Sequence, residues 1–495
     1  MPDQGDQIKL NFTDFSVMNK NLYDIIVIGS GSGGLSVGLF MAKAGFKVLM
    51  VSLSDKDIGG DCLNDGCVPS KAIIHVAKII HNARESKDFG LNVDGDVDIK
   101  KVIKYVYDRQ ENIRAHENAS WLREQGVDVA LGEAHFTGKD EIEVDGKKYR
   151  GKKIVIASGS KPKKLKVPGV EQVIYYDNES VFHIDELPPK LLVIGGGPIG
   201  MEMAQTMSRL GSKVIVIHKG DMILEHDDTA VTTILYEQLR KERIEFFFRA
   251  EIKDFPSANE ATAQLNSREN ITLKFDAVFV AIGRELNLEP LQLNNAGIKM
   301  NNKKIVVDNY LRTTNRDIFV CGDVAGDLLF SHAAEFHARI LLNNLFSPLR
   351  KKLNNEHMSW VTFTDPELAT FGLSEKQLKE RGISYEKLEQ SFEEDDRAVV
   401  DNFQYGKMLL FISRKGIFRK QTVLGGTMLA PGAGELIQEL ILANTNRISI
   451  NALFNKIYPY PVASRINQKV IVGYKSMALT ANIKKLLRLA YKMFS

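Results

Sequence analysis

IIVIGSGSGGLSVGLFMAKAGFKVLMVS, residues Ile25 to Ser52, sets the architecture, because the chain repeats it 166 residues later as LLVIGGGPIGMEMAQTMSRLGSKVIVIH, Leu191 to His218. Each copy reads as an apolar strand, a Gly-x-Gly-x-x-Gly turn, a helix and a second apolar strand. The identical positions include Gly29, Gly31, Gly34, Met41, Gly45, Lys47 and Val48, paired with Gly195, Gly197, Gly200, Met207, Gly211, Lys213 and Val214. Two copies in the same context predict two βαβ units that each bind a dinucleotide.

The three glycines of each turn have separate physical roles. The first permits the tight turn, and the second lets the backbone approach a pyrophosphate. The third lets the helix pack close to the strand, so that its first amide groups face the phosphates. The cofactor-binding residues predicted in the two turns are Gly29, Gly31, Gly33, Gly34, Gly195, Gly197, Ile199 and Gly200.

The end of the second strand of such a unit usually carries an acidic residue that holds a ribose. This chain has Ser52 in the first unit, which weakens that contact, and His218 followed by Lys219 in the second. With no carboxylate there to repel a 2′-phosphate, and two basic side chains to attract one, we expect NADPH to be favoured over NADH. The alternative is that His218 and Lys219 form a solvated basic surface with no role in nucleotide binding.

Length and composition restrict the function classes. A chain of 495 residues favours about three domains, and 65 basic against 62 acidic residues gives no electrostatic reason to expect nucleic acid. No apolar run is long enough to span a membrane, and the N-terminus fits no secretory signal or transit peptide. Three cysteines are too few for a disulfide framework. We therefore expect a cytoplasmic protein in a reducing compartment.

Two of the cysteines lie five positions apart in IGGDCLNDGCVPSKA, Ile58 to Ala72. Residues i and i+5 of a regular helix have Cα atoms roughly 8–9 Å apart, whereas a disulfide needs less than about 7 Å. The chain must therefore leave ideal helix between Cys62 and Cys67, as Asn64, Asp65, Gly66 and Pro69 permit. A helix N-terminus and Lys71 would both lower a thiol pKa. Buried free thiols and a zinc site are the alternatives, but zinc would need four ligands, and the pattern favours redox chemistry.

The segment GGDCLNDGCVPSK resembles the GG-x-C-x4-C-x-P-S-K signature of the flavin-dependent pyridine nucleotide–disulfide oxidoreductases, which include glutathione reductase, dihydrolipoamide dehydrogenase and mercuric reductase. Four further segments are similar to motifs of the family: IVIASGSKP (154–162), VFVAIGR (278–284), IFVCGDVAG (318–326) and FTDPELATFGL (363–373). The resemblance extends from Tyr23 to Ile471 and thus covers nearly the whole chain.

The resemblance implies an α/β fold with two Rossmann-like domains, one binding FAD and one binding NAD(P), and a C-terminal α+β dimerisation domain. The expected divisions are an N-terminal extension (1–22), an FAD-binding domain in two parts (23–165 and 287–349), an NAD(P)-binding domain (166–286), a dimerisation domain (350–475) and a basic amphipathic C-terminal helix (476–495).

The resemblance also implies a homodimeric enzyme in which NADPH or NADH reduces FAD. The flavin then reduces a Cys62–Cys67 disulfide, which passes electrons to a small acceptor such as a disulfide, a metal ion or a quinone. Cys67 would be the thiol next to the flavin and Cys62 the interchange thiol; Lys71 would lie beside flavin N5 and pair with Glu202. The further cofactor-binding residues implied are Gly60, Asp61, Ala134, Ser158, Gly159, Gly283, Gly322, Asp323 and Ala333. Cys321 lies outside this chemistry.

The chain departs from the family where glutathione and lipoamide enzymes carry a His and a Glu supplied by the other subunit. In YPYPVASRIN, 458–467, those positions hold Tyr460 and Arg465. A phenol with a pKa near 10 is a poor base and a guanidinium is none. Tyr460 is similar to the tyrosine of mercuric reductase, but the C-terminal cysteine pair of that enzyme is missing. His332 and His337 are expected to pack rather than to act as acid or base.

These departures leave two alternatives to the leading interpretation. In the first, the flavin reduces a mercuric ion or a quinone directly. In the second, the protein is a non-catalytic, redox-sensing flavoprotein.

The last residues combine helical periodicity with basic charge. From Met477 onward, apolar residues recur at helical spacing and the remaining positions are rich in lysine and arginine, with no acidic residue. We favour a helix that packs on the protein with a solvated basic face over one in peripheral contact with an anionic membrane surface.

Overall fold

The computed structural model describes residues 21–266, 269–326, 328–416 and 420–495. These residues form two compact units, each built from separate stretches of chain. The first contains residues 21–70, 104–163 and 284–353, and the second contains 71–103, 164–283 and 354–495. The expected N-terminal extension lies outside the described residues except for its last two positions.

A seven-stranded sheet forms the centre of the first unit. Its order is Val127–Leu131, Val48–Ser52, Leu22–Ile28, Lys147–Ile156, Glu141–Val144 and Ala134–Phe136, with Ile318–Val320 pairing with the far end of Lys147–Ile156. The strand Leu22–Ile28 runs parallel to both of its neighbours, and Ile25, Ile26 and Val27 are fully buried. An unbroken apolar run suits a parallel strand that is covered on both faces. The associated helices are Ser32–Lys43, Gly60–Asn64, Cys67–Glu85, Ile99–Arg114, Ala119–Glu124 and Ser331–Phe346; Cys67–Glu85 and Ile99–Arg114 each extend across a boundary between the two units.

The second unit contains three sheets. A parallel sheet has the order Glu245–Phe247, Lys213–Ile217, Lys190–Ile194, Ala277–Val280 and Tyr175–Tyr176. A three-stranded antiparallel sheet consists of Ala250–Ser257, Glu260–Leu265 and Glu269–Lys274. A five-stranded antiparallel sheet has the order Ser359–Thr362, Glu367–Gly372, Val423–Ala430, Lys407–Ser413 and Tyr385–Ser391. The helices are Pro198–Leu210, Thr229–Lys241, Glu375–Glu380, Asp396–Val400, Ala433–Leu436, Gln438–Thr445, Ile450–Asn455, Ile466–Met477 and Ala481–Phe494.

Both copies of the sequence repeat fold in the same way. A Cβ atom on Gly34 would lie 2.0 Å from the carbonyl oxygen of Gly29, and one on Gly200 would lie 2.1 Å from that of Gly195. The third glycine of each turn therefore allows the helix to approach the strand, as the motif predicts. One mixed sheet with a parallel centre, one parallel sheet and an antiparallel sheet, each associated with helices, confirm the predicted fold class.

The C-terminal helix Ala481–Phe494 has no buried residue. The sequence favoured a packing helix with a solvated basic face; on its own chain the helix buries no side chain, and its leucines, Met493 and Phe494 remain exposed. Across the described part of the chain, no helix combines the length and the hydropathy needed to cross a bilayer.

Candidate active site

The first glycine-rich turn of the first unit presents an open helix N-terminus. The helix Ser32–Lys43 begins after Gly31, no side chain caps it, and its first turn contains no acidic residue. Gly29 has a φ of +109°, and a Cβ atom there would lie 2.2 Å from the carbonyl oxygen of Ala157. Only glycine fits this position, and the unsatisfied amides of the first turn suit a pyrophosphate.

The second turn repeats this arrangement in the second unit. The helix Pro198–Leu210 begins after Gly197, again without a side-chain cap, and Pro198 occupies its first turn, where no amide is needed. A Cβ atom on Gly195 would lie 2.2 Å from the carbonyl oxygen of Ala281, whereas Gly197 faces open space. The residues present fit a second dinucleotide.

A polar cluster in the first unit connects three separate motifs. The Arg284 guanidinium donates to the hydroxyl and the carbonyl of Ser160 (2.7 and 2.8 Å) and to Asp61 (3.0 Å). Ser160 in turn donates to Asp323 at 2.6 Å. Burial raises the pKa of Asp323 against the lowering effects of Ser160 and Arg284. The Oγ atom of Ser158 is buried without a partner among the described residues, which fits a site that a polar ligand completes.

The two cysteines lie on consecutive short helical segments. Cys62 is in Gly60–Asn64, the chain leaves helix at Asp65 and Gly66, and Cys67 begins the next helix, Cys67–Glu85. This is the break that the five-residue spacing predicted. Both are free thiols. A hydrogen bond with Cys67, together with burial, raises the pKa of Cys62.

The cysteine pair lies against the first glycine-rich turn. Cys67 Sγ is 3.4 Å from the hydroxyl of Ser331, and the hydroxyls of Ser331 and Ser32 both hydrogen-bond to Cys62. Ser32 is the first residue of the turn's helix. A Cβ atom on Gly60 would lie 2.6 Å from the Cα atom of Gly31, so only glycine allows this approach. The thiols thus share a site with the turn expected to hold FAD.

Lys71 and Glu202 form an ion pair in the second unit. Lys71 Nζ is 2.8 Å from Glu202 Oε2, and the other oxygen of Glu202 accepts a hydrogen bond from the Phe363 amide at 2.9 Å. The ammonium also lies 4.4 Å from the centre of the Phe363 ring. The Glu202 side chain is only 6% exposed, so the cation and the amide together compensate for its burial.

The surroundings of His218, at the end of strand Lys213–Ile217, differ from the prediction made from the sequence. His218 Nδ1 accepts a hydrogen bond from the Gly196 amide at 3.1 Å, and its Nε2 lies 3.7 Å from a carboxylate oxygen of Glu225. Burial lowers the pKa of His218. The inference that no carboxylate stands at this strand end is wrong, because the loop after the strand returns Glu225 to it. Lys219 is exposed.

Tyr460 is 68% exposed, with the Arg465 guanidinium 5.6 Å from its ring centre. The neighbouring Tyr458 is held differently, since its hydroxyl donates to Glu439 at 2.6 Å and burial raises its pKa. In the part of the second unit that the structure describes, no hydrogen bond or ion pair joins Tyr460 to Lys71 or Glu202, the other predicted catalytic residues of its unit.

His332 and His337, considered as acid or base residues from the sequence, differ in their burial and contacts. His337 is fully buried and accepts a hydrogen bond from the Gly322 amide at 3.2 Å, whereas His332 stacks on Phe330. Cys321 is buried, and burial raises its pKa to about 12. A Cβ atom on Gly33 would lie 2.8 Å from its sulfur, so the small thiol fills the space beside the helix.

The other predicted cofactor positions lie at turns or in buried places. Gly159, Gly283 and Gly322 have positive φ angles. Ala134 and Ala333 are buried, and Ile199 is exposed in the first turn of its helix. Sequence reasoning missed the polar contacts of Ser32, Ser160, Glu225, Arg284, Ser331 and Phe363. Arg284 ends the VFVAIGR segment and Phe363 begins FTDPELATFGL, so both stood within recognised motifs.

Comparison with known families assigns the chain. The sequence profile described as Pyridine nucleotide-disulphide oxidoreductase matches residues 23–338, and the profile of its dimerisation domain matches 358–470. The chain belongs to the pyridine nucleotide-disulphide oxidoreductase family, whose members use FAD and NAD(P)H, and the dimerisation domain supports a homodimer.

Several characterised proteins are similar over most of the chain. A dihydrolipoyl dehydrogenase of Buchnera aphidicola is 32% identical over 485 residues, which cover 94% of this chain and all of that protein. A mercuric reductase of Bacillus cereus is 28% identical over 469 residues, covering 93% of this chain and 73% of that protein. The HOCl-induced flavoprotein disulfide reductase RclA of Escherichia coli has a similar structure, with a TM-score of 0.79 at 25% identity over 90% of this chain and 99% of RclA.

Proposed function

We propose that this protein passes electrons from a nicotinamide nucleotide through FAD to a Cys62–Cys67 disulfide and from there to a small acceptor. The observation that carries the proposal is the contact of the cysteine pair with Ser32, the residue that begins the helix of the first glycine-rich turn. Bound FAD would supply two-electron transfer between a nicotinamide and a disulfide.

The cysteines would perform the second half of the reaction by thiol–disulfide exchange. Reduction by two electrons breaks the Cys62–Cys67 bond, and the Cys62 sulfur takes up a proton at neutral pH, because a hydrogen bond with Cys67 and burial raise its pKa. The Cys62 thiolate attacks a disulfide acceptor and releases one thiolate. Cys67 then attacks the Cys62 sulfur, which reforms the internal bond and releases the second thiolate. Two protons convert the two leaving thiolates to thiols.

Lys71 and Glu202 would adjust the charge near the redox centre. Lys71 lies one helical turn after Cys67 on the same helix, and its ammonium is held by Glu202 and by the Phe363 ring. A positioned cation favours negative charge that develops on a neighbouring group, and its carboxylate partner keeps it from drifting into water.

For the nicotinamide nucleotide, we propose NADH rather than NADPH. His218 is uncharged at neutral pH because burial lowers its pKa, and Glu225 places a negative charge beside it. A carboxylate accepts hydrogen bonds from a ribose 2′-hydroxyl and repels a 2′-phosphate.

Anaerobic titration with NADH tests the main proposal. One equivalent of NADH per chain should expose two thiols and develop a long-wavelength thiolate–flavin absorption band. Cys67→Ser should abolish the band, while Cys321→Ala, which removes the third thiol, should retain it. Survival of the band in Cys67→Ser, or its absence in the wild type, would falsify the proposal.

A second candidate function is direct reduction of a metal ion or a quinone by the flavin. The exposed Tyr460 beside Arg465 favours it, because neither side chain is an efficient base for disulfide exchange. Turnover with glutathione disulfide, lipoamide, quinones and Hg(II) should be compared in the wild type and in Cys62→Ser. Acceptors whose turnover persists in the variant are reduced without the thiols.

A further inference from the structure

The C-terminal end of this chain carries a net positive charge because it contains no acidic residue. Residues 440–495 contain nine lysines and arginines and no acidic residue, whereas the whole chain has a net charge of only +3. The preceding 439 residues therefore carry a net charge of −6. Such asymmetry in an otherwise balanced chain indicates an anionic partner for this end.

The helix Ala481–Phe494 separates its charged and apolar residues onto opposite faces. At 100° per residue, its four cations occupy one sector of about 100°. These cations are Lys484, Lys485, Arg488 and Lys492. The opposite sector of about 200° contains one polar residue, Asn482, and the apolar or aromatic residues Ile483, Leu486, Leu487, Leu489, Ala490, Tyr491, Met493 and Phe494. Its large side chains are between 40% and 87% exposed.

The placement of the cations is not what helix stability requires. Lys484 and Lys485 lie near the N-terminal end, after the Thr480 cap, and that turn contains no acidic residue. The positive end of the helix dipole disfavours cations there, so these charges weaken the isolated helix. An anionic surface beside the helix compensates for this cost, whereas an apolar groove on a protein does not.

We propose that this helix lies in the headgroup layer of an anionic bilayer, with its apolar face inserted and its four cations against the lipid phosphates. A broad apolar face, a purely cationic polar face and an aromatic residue at the helix end are the features of interfacial helices. The inference does not depend on the proposed redox chemistry, since no residue of the helix belongs to the candidate site.

Sedimentation of the full-length FAD-loaded protein with vesicles tests the proposal. The wild type should bind phosphatidylglycerol-containing vesicles strongly and phosphatidylcholine vesicles weakly. The variant K484Q/K485Q/R488Q/K492Q should bind the anionic vesicles roughly 100- to 1,000-fold less tightly. The matched control removes the same charge from exposed lysines elsewhere, as K100Q/K147Q/K303Q/K376Q, and should bind like the wild type.

A second variant, K485L/L487K, separates amphipathic insertion from simple charge attraction. It keeps composition, charge and helix propensity but places a cation in the apolar face. It should lose vesicle binding while keeping the flavin spectrum and the thermal midpoint of the wild type.

Three results would overturn the proposal. One is failure of the wild type to bind anionic vesicles. Another is undiminished binding of K485L/L487K to anionic vesicles, which would show that charge alone attracts the helix. The third is a change of oligomeric mass on deletion of 481–495, which would show that the apolar face packs on a second copy of the chain.

Discussion

The Cys62 thiol keeps its proton at neutral pH because a hydrogen bond with Cys67 and burial both raise its pKa. The hydroxyls of Ser32 and Ser331 act in the opposite direction, since they stabilise a thiolate by donating hydrogen bonds. At the residue scale, these contacts hold a proton on Cys62 after the pair is reduced. Tyr460 stands at the position where glutathione and lipoamide enzymes carry the histidine that exchanges this proton.

This proton predicts a pH dependence of disulfide reduction. Since the raised pKa of Cys62 lies above neutral pH, the thiolate fraction and the rate of exchange should rise by about tenfold per pH unit between pH 7 and 9. Steady-state turnover with a small disulfide measures the rate, and ferricyanide, which takes electrons without exchange, serves as control. A flat profile for the disulfide would contradict the argument.

Glu225 predicts the nucleotide preference. Glu225→Gln removes a charge that lies 3.7 Å from His218, and kcat/KM for NADPH should rise about five- to tenfold while that for NADH falls. The matched control is Glu237→Gln, which removes an exposed carboxylate of the same unit. An equal effect of both substitutions would mean that only general electrostatics are involved.

At the element scale, close approach of helix to strand makes each glycine-rich turn a candidate binding site. The two turns have the same backbone geometry but belong to different units, so each can be disabled by itself. The helix of the second turn is also fixed at its C-terminal end. There, Arg209 is bonded to Glu242 (2.7 and 2.8 Å) and to Asp365 (3.0 Å).

Gly200→Ala should disable only the second turn. The added Cβ atom would lie 2.1 Å from the carbonyl oxygen of Gly195, so the helix must move away from the strand. We expect the variant to retain FAD, to bind NADH at least tenfold more weakly and to show little reduction by it. Gly473→Ala is the control, because this glycine lies in the helix Ile466–Met477 with open space around it. It should leave FAD content, NADH affinity and reduction by NADH unchanged. Loss of FAD from Gly200→Ala would contradict independent turns.

The Arg209 cluster predicts an acid-sensitive contribution to stability. Burial would raise the pKa of Asp365, but Arg209 and Lys78 outweigh it and hold the pKa below its usual value. The stabilisation is therefore present above the unfolded-state pKa of about 3.9 and is lost as the pH falls through the lower folded-state value.

Asp365→Asn should lower the free energy of unfolding by about 2 kcal/mol at pH 7, and the difference from wild type should shrink below pH 4. Denaturant unfolding at pH 7 and below pH 4 measures the difference in the free energy of unfolding, with Asp88→Asn at an exposed position as control. A pH-independent difference would point to lost packing rather than to charge.

At the scale of the whole molecule, the dimerisation domain supports a homodimer. Tyr460 lies exposed near its end, in a segment where Ile457 is also 92% exposed. In the family to which the chain belongs, the corresponding position serves the other subunit. The same arrangement here would combine the cysteines of one chain with Tyr460 of its partner.

Hybrid dimers of Cys62→Ser and Tyr460→Ala chains test this arrangement. If Tyr460 serves the partner's cysteines, one of the two sites in each hybrid contains both native residues, and the hybrid should recover about half of the wild-type activity. If Tyr460 acts on its own chain, each site has one defect and no activity returns. Differently tagged chains purified in tandem give the hybrid for assay.

The sequence by itself determined the two glycine-rich βαβ units, the close spacing of Cys62 and Cys67 and the break in helix between them, because each depends on residues within one short stretch. Only the tertiary structure decided which distant side chains surround them. Arg284 reaches Asp61 across 223 residues, Glu225 returns to His218 through a loop, and the C-terminal helix finds no place on its own chain. Local backbone geometry follows from nearby residue types, whereas these contacts depend on how separate elements pack, which periodicity and spacing do not encode.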